Sequence, residues 1–211
     1  MIMKYEIKIL GINPLWISAL LVGVFFVVCR AGGSNINWGI LGSEVLFPFY
    51  TAVMVGEWCK TRTDPQFEVI CAQGKSLFCW IARRFALLFG TIGIFSAAGM
   101  AGVTILKGGN SILELLFTFF PVAFFLSSIS VFVSLLADGS HIPAMAVGVL
   151  WLFSLMCMSL LRFTPVQYFY LFVQFAGITY PLWIVNNIIL LSISMSLWLG
   201  IAILCKRRIW G

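Results

Sequence analysis

The sequence predicts an all-α membrane protein with about six transmembrane helices, built as a single transmembrane domain over residues 1–211. Of its residues 62% are hydrophobic and only 9% are charged, whereas a soluble domain has about 25% charged residues. The mean hydropathy is +1.07. A soluble core of this size could not hide so much apolar surface, so lipid must form part of the solvent.

The apolar residues fall into six continuous runs, and each is long enough for a helix of roughly 20 residues to cross the hydrocarbon core. Because the runs are continuous rather than alternating, a β-barrel is not expected. The expected spans are Leu15–Cys29, which can begin as early as Ile9, then Trp38–Trp58, Phe85–Leu106, Leu115–Ala137, Ile142–Leu161 and Leu182–Cys205.

Residues 1–14 mix charged and apolar side chains ahead of the first run. They predict a short N-terminal helix in the membrane interface, with Lys4 and Lys8 near lipid headgroups. No small-residue cleavage site follows the first apolar run, so we interpret that run as a retained span.

The basic residues predict the orientation, because lysine and arginine accumulate in cytoplasmic loops. With a cytoplasmic N-terminus, only Arg30, Lys107 and Arg162 lie outside. Both termini are therefore expected in the cytoplasm, and the net charge of +6 is explained by topology rather than by nucleic acid. The inner set is Lys4, Lys8, Lys60, Arg62, Lys75, Arg83, Arg84, Lys206, Arg207 and Arg208.

The segment Lys60–Arg84, between the second and third runs, is long, basic and amphipathic. Thr63 or Asp64 can cap a helix whose first turn holds Pro65. The resulting cytoplasmic helix over Pro65–Gln73 can dock into a groove of a soluble partner or rest on lipid, since both uses need the same apolar face.

No motif in the chain predicts catalysis. Gly74-Lys75-Ser76 resembles the end of a phosphate-binding loop, but Val69 stands where that loop needs glycine. The six cysteines form no CxxC pair and His141 is the single histidine, so no metal site is expected. We therefore predict a chain that is not an enzyme and holds no cofactor.

A carboxylate within a membrane span is a functional candidate. Glu44 can line a pathway or pair with an outer basic residue, and Glu57 can pair with a basic residue at the inner end. Glu114 and Asp138 are expected to be hydrated or ion-paired near the interfaces. The candidate partners of Glu57 are Arg62, Arg83 and Arg84.

Two further stretches are informative. Residues 162–181 are aromatic and bracketed by Pro165 and Pro181, which predicts a re-entrant or interfacial segment on the outer face. The third run is rich in small residues that allow close helix packing: Gly90, Gly93, Ala97, Ala98, Gly99 and Gly102.

This layout resembles the permease subunits of bacterial ATP-binding-cassette exporters, the ABC-2-type or type V class. At residue level the resemblance rests on Glu57 followed by Lys60, Arg62, Thr63, Glu68 and Lys75. Where the family often has Gly-Thr before its coupling helix, this chain has Arg62-Thr63.

The resemblance implies a multi-pass protein of the bacterial cell membrane that exports a hydrophobic or amphipathic substrate, such as an antimicrobial peptide. It implies a second permease chain, identical or related, and a separate ATPase subunit that holds ATP and Mg. The ATPase would contact Asp64, Phe67, Glu68, Ile70 and Cys71. The alternatives are a stand-alone sensor or immunity protein, an ion-coupled carrier and an intramembrane enzyme.

Overall fold

A computed structural model describes residues 13–33, 37–59, 77–109, 111–137, 139, 141–178 and 180–209. These ranges contain six long helices and no β-strand. Each helix is long and apolar enough to cross a membrane, which confirms the predicted number of spans. The helices are α1 Asn13–Ala31, α2 Trp38–Trp58, α3 Leu77–Lys107, α4 Ile112–Leu136, α5 Ile142–Arg162 and α6 Leu182–Ile209.

The predicted N-terminal interfacial helix and the predicted amphipathic helix over Pro65–Gln73 lie almost wholly outside the described residues. The third span is longer than predicted, because it begins at Leu77 rather than at Phe85. Its first turns bury Leu77 and Ile81 on one face. Arg84 is buried too, with its guanidinium 4.6 Å from the centre of the Trp80 ring. The helix therefore continues through a basic residue that the sequence analysis placed in the polar segment before the span.

Helices α2 and α4 form the centre of the bundle. Their apolar windows are 72% and 61% buried, against 11–33% for the other four helices. Helix α4 packs against α2, α5 and α6, and α1 packs along α3. The outer helices therefore cover the central pair incompletely and leave apolar side chains exposed, as expected for a surface that faces lipid.

Helix α2 is interrupted by a π-helical stretch over Leu41–Leu46. Such stretches leave carbonyl groups out of the α-helical pattern and are frequent at functional sites. Here the carbonyl oxygen of Val45 accepts a hydrogen bond from Nε1 of Trp151 on α5, at 3.0 Å. The Trp151 ring also stacks on Phe49, with 4.7 Å between ring centroids. The π-helical stretch thereby fixes α5 against α2.

Side-chain contacts distinguish the two ends of the bundle. At one, called the Glu44 end, Lys107 at the end of α3 donates from Nζ to the carbonyl of Gly32 at 3.0 Å. At the other, called the Glu57 end, Nδ1 of His141 lies 3.1 Å from Oε1 of Glu57. Consecutive helices thus alternate in direction, as successive membrane crossings require.

Candidate functional site: the anchor of the connecting segment

The connecting segment, residues 163–181, joins α5 to α6 and is described except for Thr179. It contains a helical turn over Thr164–Gln167 and then runs as turns and irregular backbone. Its centre is buried rather than spread over the surface: Tyr170, Leu171, Phe172 and Val173 are each no more than 4% exposed. Buried irregular backbone needs partners for its polar groups.

Glu44, in the π-helical stretch of α2, supplies an acceptor for two of these groups. Its side chain is 2% exposed. Oε1 accepts the backbone N–H of Gln174 at 3.0 Å, and Oε2 accepts that of Phe175 at 2.6 Å. Consecutive backbone amides that point to one side form a concave site for an anion, and here a carboxylate of the same chain fills it.

A compact turn holds these amides in position. The N–H of Gly177 donates to the carbonyl of Gln174 at 2.9 Å, and that of Ile178 donates to the carbonyl of Val173 at 3.0 Å. Gly177 has a φ of +83°, a conformation that residues with a Cβ rarely adopt. The glycine therefore permits the turn that directs the preceding amides towards Glu44.

Two more helices bind the connecting segment through side chains. On α4, the hydroxyl of Thr118 lies 2.9 Å from Oε1 of Gln174. On α6, Nδ2 of the buried Asn186 lies 2.9 Å from the carbonyl oxygens of both Tyr168 and Tyr170. The same nitrogen is 3.2 Å from the carbonyl oxygen of Gln167. Helices α2, α4 and α6 thus hold one segment at the Glu44 end.

The sequence singled out Glu44 but not its partners. It left open a pathway role or an ion pair, whereas the carboxylate hydrogen bonds that the structure describes go to backbone amides. Asn186 and Thr118 were missed. A signal existed for Asn186, because the pair Asn186-Asn187 interrupts an otherwise apolar run and amides inside membrane helices usually have partners.

The predicted inner cluster is described only in part. Glu57 meets His141, whose side chain is 73% exposed, and this contact was not predicted. Arg83 and Arg84 lie in the second and third turns of α3, the helix that begins at the Glu57 end. Arg62 lies outside the described residues. So do the predicted ATPase contacts Asp64, Phe67, Glu68, Ile70 and Cys71.

The chemistry of the Glu44 site is that of a hydrogen-bonded joint. Its donors are backbone amides, and no group of three or more His, Cys, Asp or Glu residues in the described ranges could hold a metal ion. The joint connects the centre of the bundle to a buried segment.

The fold and this site define a multi-pass, all-helical membrane protein with an irregular segment anchored between its last two spans. Comparison with protein-family models, with curated proteins and with solved structures gave no match. The chain's own residues are therefore the basis for the function proposed next.

Proposed function

We propose that this chain is the transmembrane permease subunit of an ATP-driven exporter. The observation that carries the proposal is the connecting segment, which lies buried and anchored by Glu44 before the last span. A re-entrant element at this position belongs to the exporter layout that the sequence resembles. Irregular backbone at membrane depth is tolerated only when protein or water satisfies it, and Glu44, Thr118 and Asn186 supply such partners.

In the proposed mechanism, a separate ATPase subunit binds the amphipathic helix around Asp64–Gln73, which follows α2 in the chain. Closure of the ATPase on ATP pushes on this helix and thereby on α2. Glu57 and Glu44 both lie on α2, about 20 Å apart at 1.5 Å per residue. A displacement at the Glu57 end therefore reaches the connecting segment along one helix.

Two permease chains, identical or related, would enclose the path, and ATP with Mg would be bound by the partner ATPase. The proposed substrate is a hydrophobic or amphipathic molecule, such as an antimicrobial peptide, as the resemblance to small exporter permeases implies. The protein would lie in the bacterial cell membrane with both termini in the cytoplasm, as the distribution of basic residues predicts.

The test is co-expression of the full chain with ATPase subunits encoded beside it, followed by affinity purification in detergent. We expect an ATPase to co-purify with the unaltered chain. Substitution of Phe67→Ala with Glu68→Ala should abolish this association and export. Phe163→Ala is the matched control, because Phe163 is 64% exposed at the opposite end of the bundle. Failure of any ATPase to bind the unaltered chain would overturn the proposal.

The second candidate is an ion-coupled carrier, which is favoured by one observation. Glu44 is an ionisable residue that is 2% exposed inside a membrane helix, and such residues often belong to ion or proton pathways. Transport that continues without ATPase, stops with a protonophore and is abolished by Glu44→Gln would support the carrier. Dependence of transport on a bound ATPase would exclude it. A stand-alone immunity protein would instead protect cells that lack every candidate ATPase.

A further inference from the structure

A groove runs between α1 and α3 at the Glu44 end of the bundle. Its volume is about 450 Å³, and it is lined by Phe26, Val27, Arg30, Gly102, Ile105 and Leu106. Five of these six residues are apolar. The groove opens outwards, because Val27 is 69% exposed and Ile105 is 83% exposed. On a membrane-spanning helix pair, such an opening faces the lipid chains.

The absence of a side chain at Gly102 shapes the floor of the groove. The ring of Phe26 lies over Gly102 in the space that a Cβ would occupy. Any larger residue at Gly102 would displace the ring and fill part of the groove. The two helices are in close contact here, and they run in the same direction to the same end of the bundle. The groove is therefore shaped by packing of α1 on α3.

The mouth of the groove carries positive charge. Arg30 is the basic residue in the last turn of α1, and its side chain is exposed. It has no hydrogen bond or ion pair with any residue in the described ranges. Lys107, the last residue of α3, lies at the same end and reaches the Gly32 carbonyl. An arginine in the last turn of a membrane helix is expected at headgroup depth, where its guanidinium can bind phosphate through paired N–H donors.

We infer that this groove binds an anionic phospholipid, with an acyl chain against Phe26 and Ile105 and the phosphate on Arg30. The two parts of the lipid match the two parts of the groove. The apolar walls suit an acyl chain, and the Arg30 guanidinium at the mouth suits the negatively charged headgroup. The lipid belongs to the leaflet at the Glu44 end. This inference does not rest on the exporter proposal, because it needs only a chain that spans the membrane.

The experiment uses the full chain, purified and delipidated in detergent, and then exposed to equal amounts of dioleoyl phosphatidylglycerol and dioleoyl phosphatidylcholine. Native mass spectrometry measures the ratio of the two lipids retained. We expect phosphatidylglycerol to predominate on the unaltered chain. Arg30→Gln should lower the ratio about fivefold, the factor that corresponds to the attraction of one basic residue to anionic lipid. Arg162→Gln is the matched control at the same end of the bundle and should leave the ratio unchanged.

A second variant tests the groove itself. Val27→Trp fills the opening and keeps Arg30, so we expect it to lower retention of phosphatidylglycerol, whereas Ile94→Trp, at a 70% exposed position elsewhere on α3, should not. An equal loss with Arg162→Gln, or no effect of Val27→Trp, would show attraction to surface charge alone and overturn the site. An unchanged ratio with Arg30→Gln would overturn it as well. Thermal unfolding of each variant in the same detergent identifies any loss that comes from misfolding.

Discussion

Oε2 of Glu44 lies 2.6 Å from the backbone nitrogen of Phe175, although 131 residues separate them in the chain. This contact fastens the connecting segment to the centre of the bundle. Both side-chain oxygens of Glu44 accept a backbone N–H, so loss of this side chain would leave two buried donors without their acceptor. The joint between Glu44 and the connecting segment should therefore be sensitive to small chemical changes on either side.

Replacing Glu44 tests the joint directly. Glu44→Ala leaves the amides of Gln174 and Phe175 without their acceptor, so the free energy of unfolding in detergent should fall by about 2 to 4 kcal/mol. Hydrogen exchange at these two amides should accelerate. Glu114→Gln is the control, because Glu114 lies exposed in the first turn of α4. Unchanged exchange at both amides in Glu44→Ala would contradict the hydrogen bonds described here.

Asn186→Asp should weaken the attachment of the connecting segment to α6. The substitution keeps the size of the side chain but replaces the Nδ2 donor with an oxygen that faces the carbonyls of Tyr168 and Tyr170. A buried acceptor opposite other acceptors costs about 1 to 3 kcal/mol. Asn187→Asp is a neighbouring control, since Nδ2 of Asn187 makes only a 3.5 Å contact. Equal melting temperatures for the two variants would argue against a special role of Asn186.

The glycines of α3 are predicted to differ in their tolerance of alanine. A Cβ at Gly99 would lie 2.6 Å from Cζ of Phe47, a side chain that is fully buried. Gly99→Ala should therefore cost about 1 to 3 kcal/mol through overpacking. A Cβ at Gly93 would meet no atom within 4 Å, so Gly93→Ala should be neutral or slightly stabilising because alanine favours helix. Chemical denaturation of both variants in one detergent gives the comparison.

Trp151→Phe isolates the hydrogen bond to the π-helical stretch. The variant loses the Nε1 donor to the Val45 carbonyl but keeps an aromatic ring beside Phe49. We expect a loss of about 1 kcal/mol in the free energy of unfolding, together with faster hydrogen exchange in Leu41–Leu46. Trp16→Phe, at a position that is 71% exposed, should change neither quantity. A stable variant with unaltered exchange would mean that the π-helical stretch does not depend on α5.

The six spans could be predicted from the sequence because the length and continuity of apolar runs are local properties. The start of α3 was missed for a local reason as well: Arg83 and Arg84 looked like the end of a polar segment. Yet α3 continues through them, with Ile81 buried before them and the Arg84 guanidinium over Trp80. Charged residues with long aliphatic stems can thus extend a membrane helix beyond its apolar run.

The site itself was predictable only in part. Glu44 was noticeable because a carboxylate in an apolar run is rare. Its partners are main-chain amides of Gln174 and Phe175, and no side-chain pattern reveals a main-chain donor. The π-helical stretch was not predicted, and the Trp151 side chain that donates to the Val45 carbonyl within it is 106 residues away in the chain. The sequence singled out the small residues of the third run as a group, but Gly99 and Gly93 have different surroundings: a Cβ at Gly99 would meet Phe47, and a Cβ at Gly93 would meet no atom within 4 Å.

The anchored carboxylate has a consequence for biogenesis. Glu44 leaves the ribosome long before residues 173–175 are made, so α2 must enter the bilayer while its carboxylate has none of these partners. Of the six spans, α2 also has the lowest hydropathy, 1.4, and an acidic residue within a span makes insertion less favourable. The hydrogen bonds from Gln174 and Phe175 to Glu44 can therefore form only after residues 173–175 have been made.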